Sequence, residues 1–235
     1  MRFPLRVKPM VRVHHLENSR SHRILWLLEE LGQPYEVVRY ARDPATLLAP
    51  PELRRLHPLG KSPLVELHGA ILAESGAIIE TLAERFDAGH RISPPPQPLD
   101  AEERVRYRYG LHYAEGSAMP PLLLSLVFAR LRKAPMPFFV KPVARGIADK
   151  ALATFVGPQL ALHLDFMEDA LARRPWFAGE RFTAADIQMS FPVEAAARRA
   201  GDRARPNLTD FLDRIHARPA YRAALARGGG FDIPA

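Results

Sequence analysis

Short polar side chains cluster in the run NSRSHR, residues 18–23, which lies between the first predicted strand and the first predicted helix. A hydroxyl placed there can donate a hydrogen bond to a bound anion, and the positive end of the helix faces the same anion. The chain contains no cysteine, so an ionised sulfur at this place must belong to a ligand. Ser19, Asn18 and Ser21 can each supply a donor, and Ser19 can also be a plain helix cap.

A site of this kind can change the ionisation of a thiol. A free thiol has a pKa of about 8.5 and is only a few per cent ionised at pH 7. Lowering that pKa by about two units requires about 2.7 kcal/mol of preferential stabilisation of the thiolate. One hydroxyl hydrogen bond and one helix terminus can supply this amount. The run therefore predicts a place where the sulfur of a ligand can be kept ionised.

Two further motifs carry groups that bind charged ligands. The run PLGKSP, residues 58–63, precedes the third predicted strand, and ESGAII, residues 74–79, opens a helix. At a helix start, Ser75 and nearby amides can hold a carboxylate, and Glu74 can pair with an ammonium group. Both residues also have ordinary interpretations, because serine is a common N-cap and an exposed glutamate needs no partner.

The elements that position these motifs alternate between strand and helix. Val11 and Val13 alternate with a polar residue, as in a strand, and the helix that follows ends at Gly32. Because a helix separates the first two strands, their pairing is expected to be parallel. The predicted order is βαβαββα, with strands at 10–14, 35–40, 64–67 and 70–72 and helices at 21–31, within 44–57 and at 74–86.

The second half of the chain has a helical pattern throughout. Residues 87–99 are rich in proline and lack periodic apolar residues, which indicates a linker. The helix starting at residue 184 has the capping-box residues Thr183 and Asp186, with Phe182 and Ile187 as a hydrophobic staple, so we exclude Asp186 from the site. The predicted helices are 102–131, bent near Pro120–Pro121; 143–172, interrupted by Pro158; 184–200; and 207–226.

Charge and composition limit the other classes of function. The net charge is +7 among 235 residues, but basic and acidic residues alternate along the helices, so nucleic-acid binding is not expected. His163 and His216 are isolated, so no metal is expected. No apolar run approaches a membrane span, and residues 1–9 lack the apolar stretch of a secretory signal. We therefore expect a cytoplasmic protein without a membrane partner, whose translation could start at Met1 or Met10.

The order and spacing of the three motifs, followed by the capping box, resemble those of glutathione transferases. Residues 10–86 resemble their N-terminal domain and residues 100–226 their helical domain. The likeness is to a serine-type, theta- or zeta-like bacterial member of the cytosolic glutathione S-transferase family. It implies an α/β thioredoxin-like N-terminal domain followed by an all-α helical-bundle C-terminal domain, and a homodimer.

The resemblance also implies a role for each motif in binding glutathione as co-substrate. Ser19 is favoured as the group that ionises the thiol, with Asn18 second and Ser21 still open. Pro63 resembles the cis-proline of thioredoxin-like folds, with the main chain of Ser62 pairing with the cysteinyl peptide. The remaining implied contacts are Lys61 with the glycyl carboxylate, and Glu74 and Ser75 with the γ-glutamyl group. The sequence departs from the family pattern at His57, where related sequences usually have Asn. His14 and His15 occupy the place of the tyrosine in tyrosine-type members.

The second substrate is expected to contact the start of the first long helix of the second half. Tyr109, His112 and Tyr113 are the candidates there, although an aromatic stripe on a helix is often part of a core. The implied reaction is attack of the glutathione thiolate on an apolar electrophile bound between the domains, as in detoxification. A glutathione-dependent peroxidase, a dehalogenase and a non-catalytic binding relative use the same first-domain residues and remain alternatives.

Overall fold

The computed structural model describes residues 11–96, 98, 101–197 and 204–230. Met10, named above as a strand residue and alternative start, lies outside the described residues, as do residues 198–200 of the predicted fourth helix. The described residues form two compact units, one from residues 11–96 with 215–230 and the other from the described residues between 98 and 214. Across the described ranges, no helix is long and apolar enough to span a bilayer.

The first unit is built around a four-stranded sheet. The sheet order is β2-β1-β3-β4, with β1 parallel to β2, β1 antiparallel to β3, and β3 antiparallel to β4. The predicted thioredoxin-like order βαβαββα is confirmed. Its elements are β1 (Val11–Leu16), α1 (His22–Leu31), β2 (Tyr35–Tyr40), α2 (Glu52–Leu56), β3 (Leu64–Leu67), β4 (Ala70–Ala73) and α3 (Ser75–Phe86).

The strand register brings the three polar motifs to one edge of the sheet. His14 of β1 lies opposite Leu64 of β3, and Leu64 lies opposite Ala73 of β4. The carboxyl ends of β1 and β4 and the amino end of β3 therefore lie at the same edge. The loops that carry residues 18–23, 58–63 and 74–79 leave or enter the strands there.

Helix α1 is buried on every side. Its residues from Ile24 to Leu28 are fully buried, and the helix packs against β1, α3 and the last helix, α10 (Pro219–Gly228). A helix with apolar residues all round needs partners all round, which explains why a segment from the end of the chain covers it. The guanidinium group of Arg218 also pairs with Glu30 of α1, with Nη2 2.9 Å from Oε2.

Proline divides the last predicted helix into two. The sequence pattern predicted one helix over 207–226, but helix α9 (Pro206–His216) ends before Pro219, which begins α10. Arg218 is extended (φ −66°, ψ 131°), as expected for a residue that precedes proline. Residues 215–230 consequently belong to the first unit, whereas the prediction extended the helical domain to residue 226.

The second unit is helical, and its long helices contain π-helical turns. These turns lie just before the prolines at which the sequence predicted a bend and an interruption: residues 114–118 and 152–156 are π-helical. The amide of Met119 donates to the carbonyl of Ala114, and Gly157 donates to Leu152, in each case five residues back. The prolines lack the N–H that a regular helix needs there. The helices are α4 (Glu102–Tyr113), α5 (Met119–Lys133), α6 (Lys141–Ala151), α7 (Gly157–Arg173), α8 (Ala184–Ala197) and most of α9.

Asp186 fixes the start of α8, as the capping box predicted. Its carboxylate accepts hydrogen bonds from the amide of Thr183 (2.8 Å) and, in addition, from the amide of Phe177 (2.8 Å). The hydroxyl of Thr183 donates to the same carboxylate (3.1 Å). Burial raises the pKa of Asp186 to about 6. The residue therefore ties a loop to a helix start and has a structural role.

We expect Asp186→Ala to lower the free energy of unfolding by about 2–4 kcal/mol, because two buried amides lose their acceptor. Urea denaturation at pH 7 measures this change. Asp213→Ala, which removes an exposed carboxylate from α9, serves as the control and is expected to stay within about 0.5 kcal/mol of wild type. Equal stability of the two variants would contradict the assigned role of Asp186.

Burial of His22 predicts a loss of stability in acid. Burial lowers the pKa of His22 to about 3, whereas an unfolded histidine titrates near about 6.5. Between these pH values the unfolded chain binds a proton that the folded chain does not. The stability that the protein has with neutral His22 is therefore fully present above about pH 6.5 and is lost as the pH falls. In His22→Phe the unfolding free energy should fall less steeply from pH 6.5 to 4, by about 1 kcal/mol per pH unit. Urea denaturation at several pH values across this range measures the pH dependence of the unfolding free energy. The control is His112→Phe, at an exposed position, which should show the wild-type pH dependence.

Candidate functional site

Ser19 lies in the turn between β1 and α1 and retains 5% of its surface exposed. Its hydroxyl donates to the carbonyl of Leu16 (2.7 Å) and accepts from the amide of Ser21 (3.2 Å). Ser21 immediately precedes α1 but makes no side-chain cap hydrogen bond, so the hydroxyl of Ser19, which accepts from the Ser21 amide, is the side chain that caps this end of the helix. The Oγ atoms of Ser19 and Ser62 lie 3.5 Å apart, which brings two of the predicted motifs together.

The two alternatives to Ser19 have different surroundings. Ser21 is fully buried, and its hydroxyl lies within hydrogen-bond distance of His15 Nδ1 (2.8 Å) and of both polar backbone atoms of Leu16 (3.2 and 3.1 Å). Asn18 is half-buried, in the left-handed region at φ 48°. Ser19 and Asn18 thus keep some surface for a ligand, whereas Ser21 has none.

The loop before β3 places Ser62 beside β1. The Ser62–Pro63 peptide bond is cis, as predicted, and the Ser62 hydroxyl donates to the carbonyl of His14 (3.3 Å). Lys61 is exposed. His57 accepts a long hydrogen bond from the amide of Leu59 (3.4 Å), so its ring is engaged in its own turn.

The start of α3 combines an unusual backbone with a buried cation. Glu74 is exposed and has φ 67° and ψ 119°, a conformation that is rare for residues other than glycine and is often found at functional sites. Ser75 is buried, and its Oγ accepts a hydrogen bond from Arg23 Nη2 (3.0 Å). A guanidinium group next to a helix N-terminus favours a carboxylate ligand.

Sequence reasoning did not assign a role to Arg23 or to His15. Arg23 is almost completely buried although it opens an otherwise apolar stretch of α1, and this charge among apolar residues was the available signal. The signal for His15 in the sequence is its place in β1, where tyrosine-type members of the family have their tyrosine. Burial lowers the pKa of His15 to about 4, so its ring is neutral at pH 7 and bonded to Ser21.

The second unit brings two of its three candidate residues together. Tyr109 is half-exposed and stacks on the buried Tyr113, with ring centroids 5.2 Å apart and planes 18° apart. Tyr113 Oη lies 2.7 Å from His163 Nδ1, and Phe166 packs against both tyrosines. His112 is exposed and takes no part in this cluster. Within the described residues, no group of three or more acidic or histidine side chains could hold a metal.

Comparison with known proteins identifies the architecture. Residues 9–84 match the family model of the glutathione S-transferase N-terminal domain, and residues 127–219 match that of the C-terminal domain. The chain is 35% identical to glutathione S-transferase 1 of Saccharomyces cerevisiae over 236 aligned residues, covering 95% of this chain and 99% of the relative.

Solved structures agree with this match. A glutathione S-transferase from Actinobacillus pleuropneumoniae is 32% identical, with a TM-score of 0.77 and 94% of each chain covered. A homologue from Sulfitobacter, solved with bound glutathione, is 22% identical with a TM-score of 0.72, covers 93% of this chain and 98% of its own, and supports the fold. Both the family models and the identity over nearly the whole chain show that this protein belongs to the glutathione S-transferase family.

Proposed function

We propose that Ser19 binds the sulfur of reduced glutathione and keeps it ionised, as in serine-type members of the family. The observation that carries the proposal is the position of its hydroxyl, 3.5 Å from Ser62 Oγ at the sheet edge that also carries the cis-proline Pro63. The Ser19 hydroxyl hydrogen can be donated to the carbonyl of Leu16, 2.7 Å away. Turning it to a thiolate replaces a neutral acceptor by a charged one, which makes a stronger hydrogen bond.

The rest of the tripeptide is proposed to extend along the same edge. The main chain of Ser62 would pair with the cysteinyl peptide, and Lys61, whose side chain is exposed, would meet the glycyl carboxylate. Ser75, supported by Arg23, would bind the γ-glutamyl carboxylate, and Glu74 would bind the ammonium group. This arrangement places the two charged ends of glutathione on groups of opposite charge or on donors.

The proposed reaction is a nucleophilic attack. The thiol proton passes to solvent, the thiolate forms a carbon–sulfur bond with an apolar electrophile, and the electron pair of the broken bond leaves with the displaced group. Catalysis then consists of lowering the thiol pKa and holding the sulfur in place. Tyr109, Tyr113 and His112 are proposed to contact the electrophile, supported by the exposed face of Tyr109.

A homodimer is proposed because the second unit exposes many large apolar side chains. Patches of this kind on a folded protein commonly mark interaction sites. Helices α5 and α6 pack on each other, and both contribute. The exposed residues include Leu123, Val127, Phe138, Phe139, Val143 and Ile147.

We expect Ser19→Ala to separate thiol ionisation from binding. The variant should bind glutathione within about 3-fold of wild type but lose the depressed pKa of the bound thiol, so that transfer activity near pH 6.5 falls by about 10- to 100-fold. Calorimetry measures binding, ultraviolet absorbance measures the bound thiolate, and Ser125→Ala is the matched control. Full activity in Ser19→Ala would move the role to Asn18.

We expect the wild-type protein to sediment as a dimer and Val127→Glu with Val143→Glu to weaken the association by at least about 10-fold, since two charges would be buried in an apolar contact. Analytical ultracentrifugation across a concentration series measures this change. The control is Ala88→Glu, which adds a negative charge at an exposed position after α3, outside the apolar residues proposed to form the contact. It should leave the dimer intact. A monomeric wild type would rule the homodimer out.

A further inference from the structure

The loop that joins α5 to α6 carries the two most exposed large apolar side chains among the described residues. Phe138 is 83% exposed and Phe139 is 67% exposed, and their rings meet edge to face with centroids 5.5 Å apart. Because α5 and α6 pack on each other, this loop forms the end of a helical hairpin. We call residues 130–141 the hairpin tip; they comprise the last turn of α5, the loop and the first residue of α6.

The hairpin tip is also strongly basic. Between Glu115 and Asp149 the sequence has no acidic residue. The tip alone carries four exposed basic residues: Arg130, Arg132, Lys133 and Lys141. Arg132 pairs with Asp149 (2.8 Å), but the other three form no ion pair with any described residue. Basic and acidic residues alternate along other helices, whereas the charge at this place has one sign.

An exposed apolar loop surrounded by cations fits the surface of an anionic bilayer. Phenylalanine can insert at the boundary between headgroups and acyl chains, and the long side chains of Lys and Arg reach the lipid phosphates. A nucleic acid would pair with the cations but would leave the exposed, aliphatic Val140 without a partner, because bases stack on aromatic side chains. A second copy placed tip to tip would bring like charges together, which is unfavourable.

We propose that the hairpin tip binds the surface of an anionic lipid bilayer, with Phe138 and Phe139 inserted below the headgroups and the surrounding cations paired with lipid phosphates. The expectation of no membrane partner came from the lack of spanning and secretory segments, which a surface contact does not need. The proposed dimer contact lies on the helices, where Val127 and Val143 are exposed, and leaves the loop available. The proposal is also independent of the chemistry assigned to Ser19.

The test is flotation of the full-length protein with lipid vesicles in the absence of glutathione. We expect at least about 10-fold tighter binding to phosphatidylcholine vesicles that contain about one third phosphatidylglycerol than to vesicles of phosphatidylcholine alone. Salt screens the attraction between cations and phosphates, so binding to the anionic vesicles should weaken at least about 3-fold between about 0.1 and 0.5 M salt.

The apolar part of the contact is tested by Phe138→Ser with Phe139→Ser. This variant should bind anionic vesicles at least about 10-fold more weakly than wild type, because the inserting groups are lost. The matched control is Phe155→Ser with Leu162→Ser, which removes two other exposed apolar side chains of the second unit and should bind like wild type.

The basic part is tested by Lys133→Gln with Lys141→Gln. This variant should bind anionic vesicles about 10-fold more weakly. Arg108→Gln with Arg173→Gln lowers the net charge equally at exposed positions outside the tip. This control should change the binding by less than about 2-fold, since the field of a charge is screened within a Debye length. Urea denaturation should show wild-type stability for each variant, because all these side chains are exposed.

The results that overturn the proposal point to different occupants. Absence of wild-type binding to anionic vesicles would overturn it, as would binding that Phe138→Ser with Phe139→Ser leaves unchanged. If the wild type bound no vesicles and this variant sedimented as a monomer, the loop would belong to a contact between two copies. Retention on heparin without vesicle binding would instead assign the cations to a soluble polyanion. Glutathione binding by a protein that ignores vesicles would leave the role of Ser19 intact.

Discussion

The register between β1, β3 and β4 is the constraint on which the candidate site depends. Placing His14 opposite Leu64 and Leu64 opposite Ala73 aligns three chain ends at one edge of the sheet. A shift of one residue would turn the side chains of a strand to the opposite face and exchange the place of the apolar Val13 with those of its polar neighbours Arg12 and His14. Burial of the strand core thus fixes the distance between Ser19 and Ser62, although the two residues are 43 positions apart.

Around this edge the protein buries polar side chains that hydrogen-bond with one another. Ser21, His15 and Arg23 all lie within the core beside apolar residues of α1. Their hydrogen bonds, to the other serines and to Ser75, offset the cost of removing them from water. The same low-polarity surroundings lower the pKa of His15 and keep its ring neutral at pH 7.

Proline explains where the helices depart from the simple periodic pattern. The sequence predicts a bend at Pro120–Pro121 and an interruption at Pro158. In the structure a π-helical segment precedes the proline at each of these two places. At Pro219 the effect is larger, since a new helix begins there and packs against α1. Apolar periodicity continues across this proline, which is why the pattern of residues 207–226 predicts one helix.

The family resemblance implied the cis peptide bond at Pro63, which the structure has. The sequence by itself determined the βαβαββα order of the first unit, the acceptor role of Asp186 and the polar motifs that mark the candidate site. These features follow from local properties: periodicity, the chemistry of proline and glycine, and the residue types at helix starts. Only the tertiary structure decided that Arg23 reaches Ser75 and that His15 meets Ser21. Both contacts depend on how β1, α1 and α3 pack, and no local pattern in the chain encodes a distance between elements.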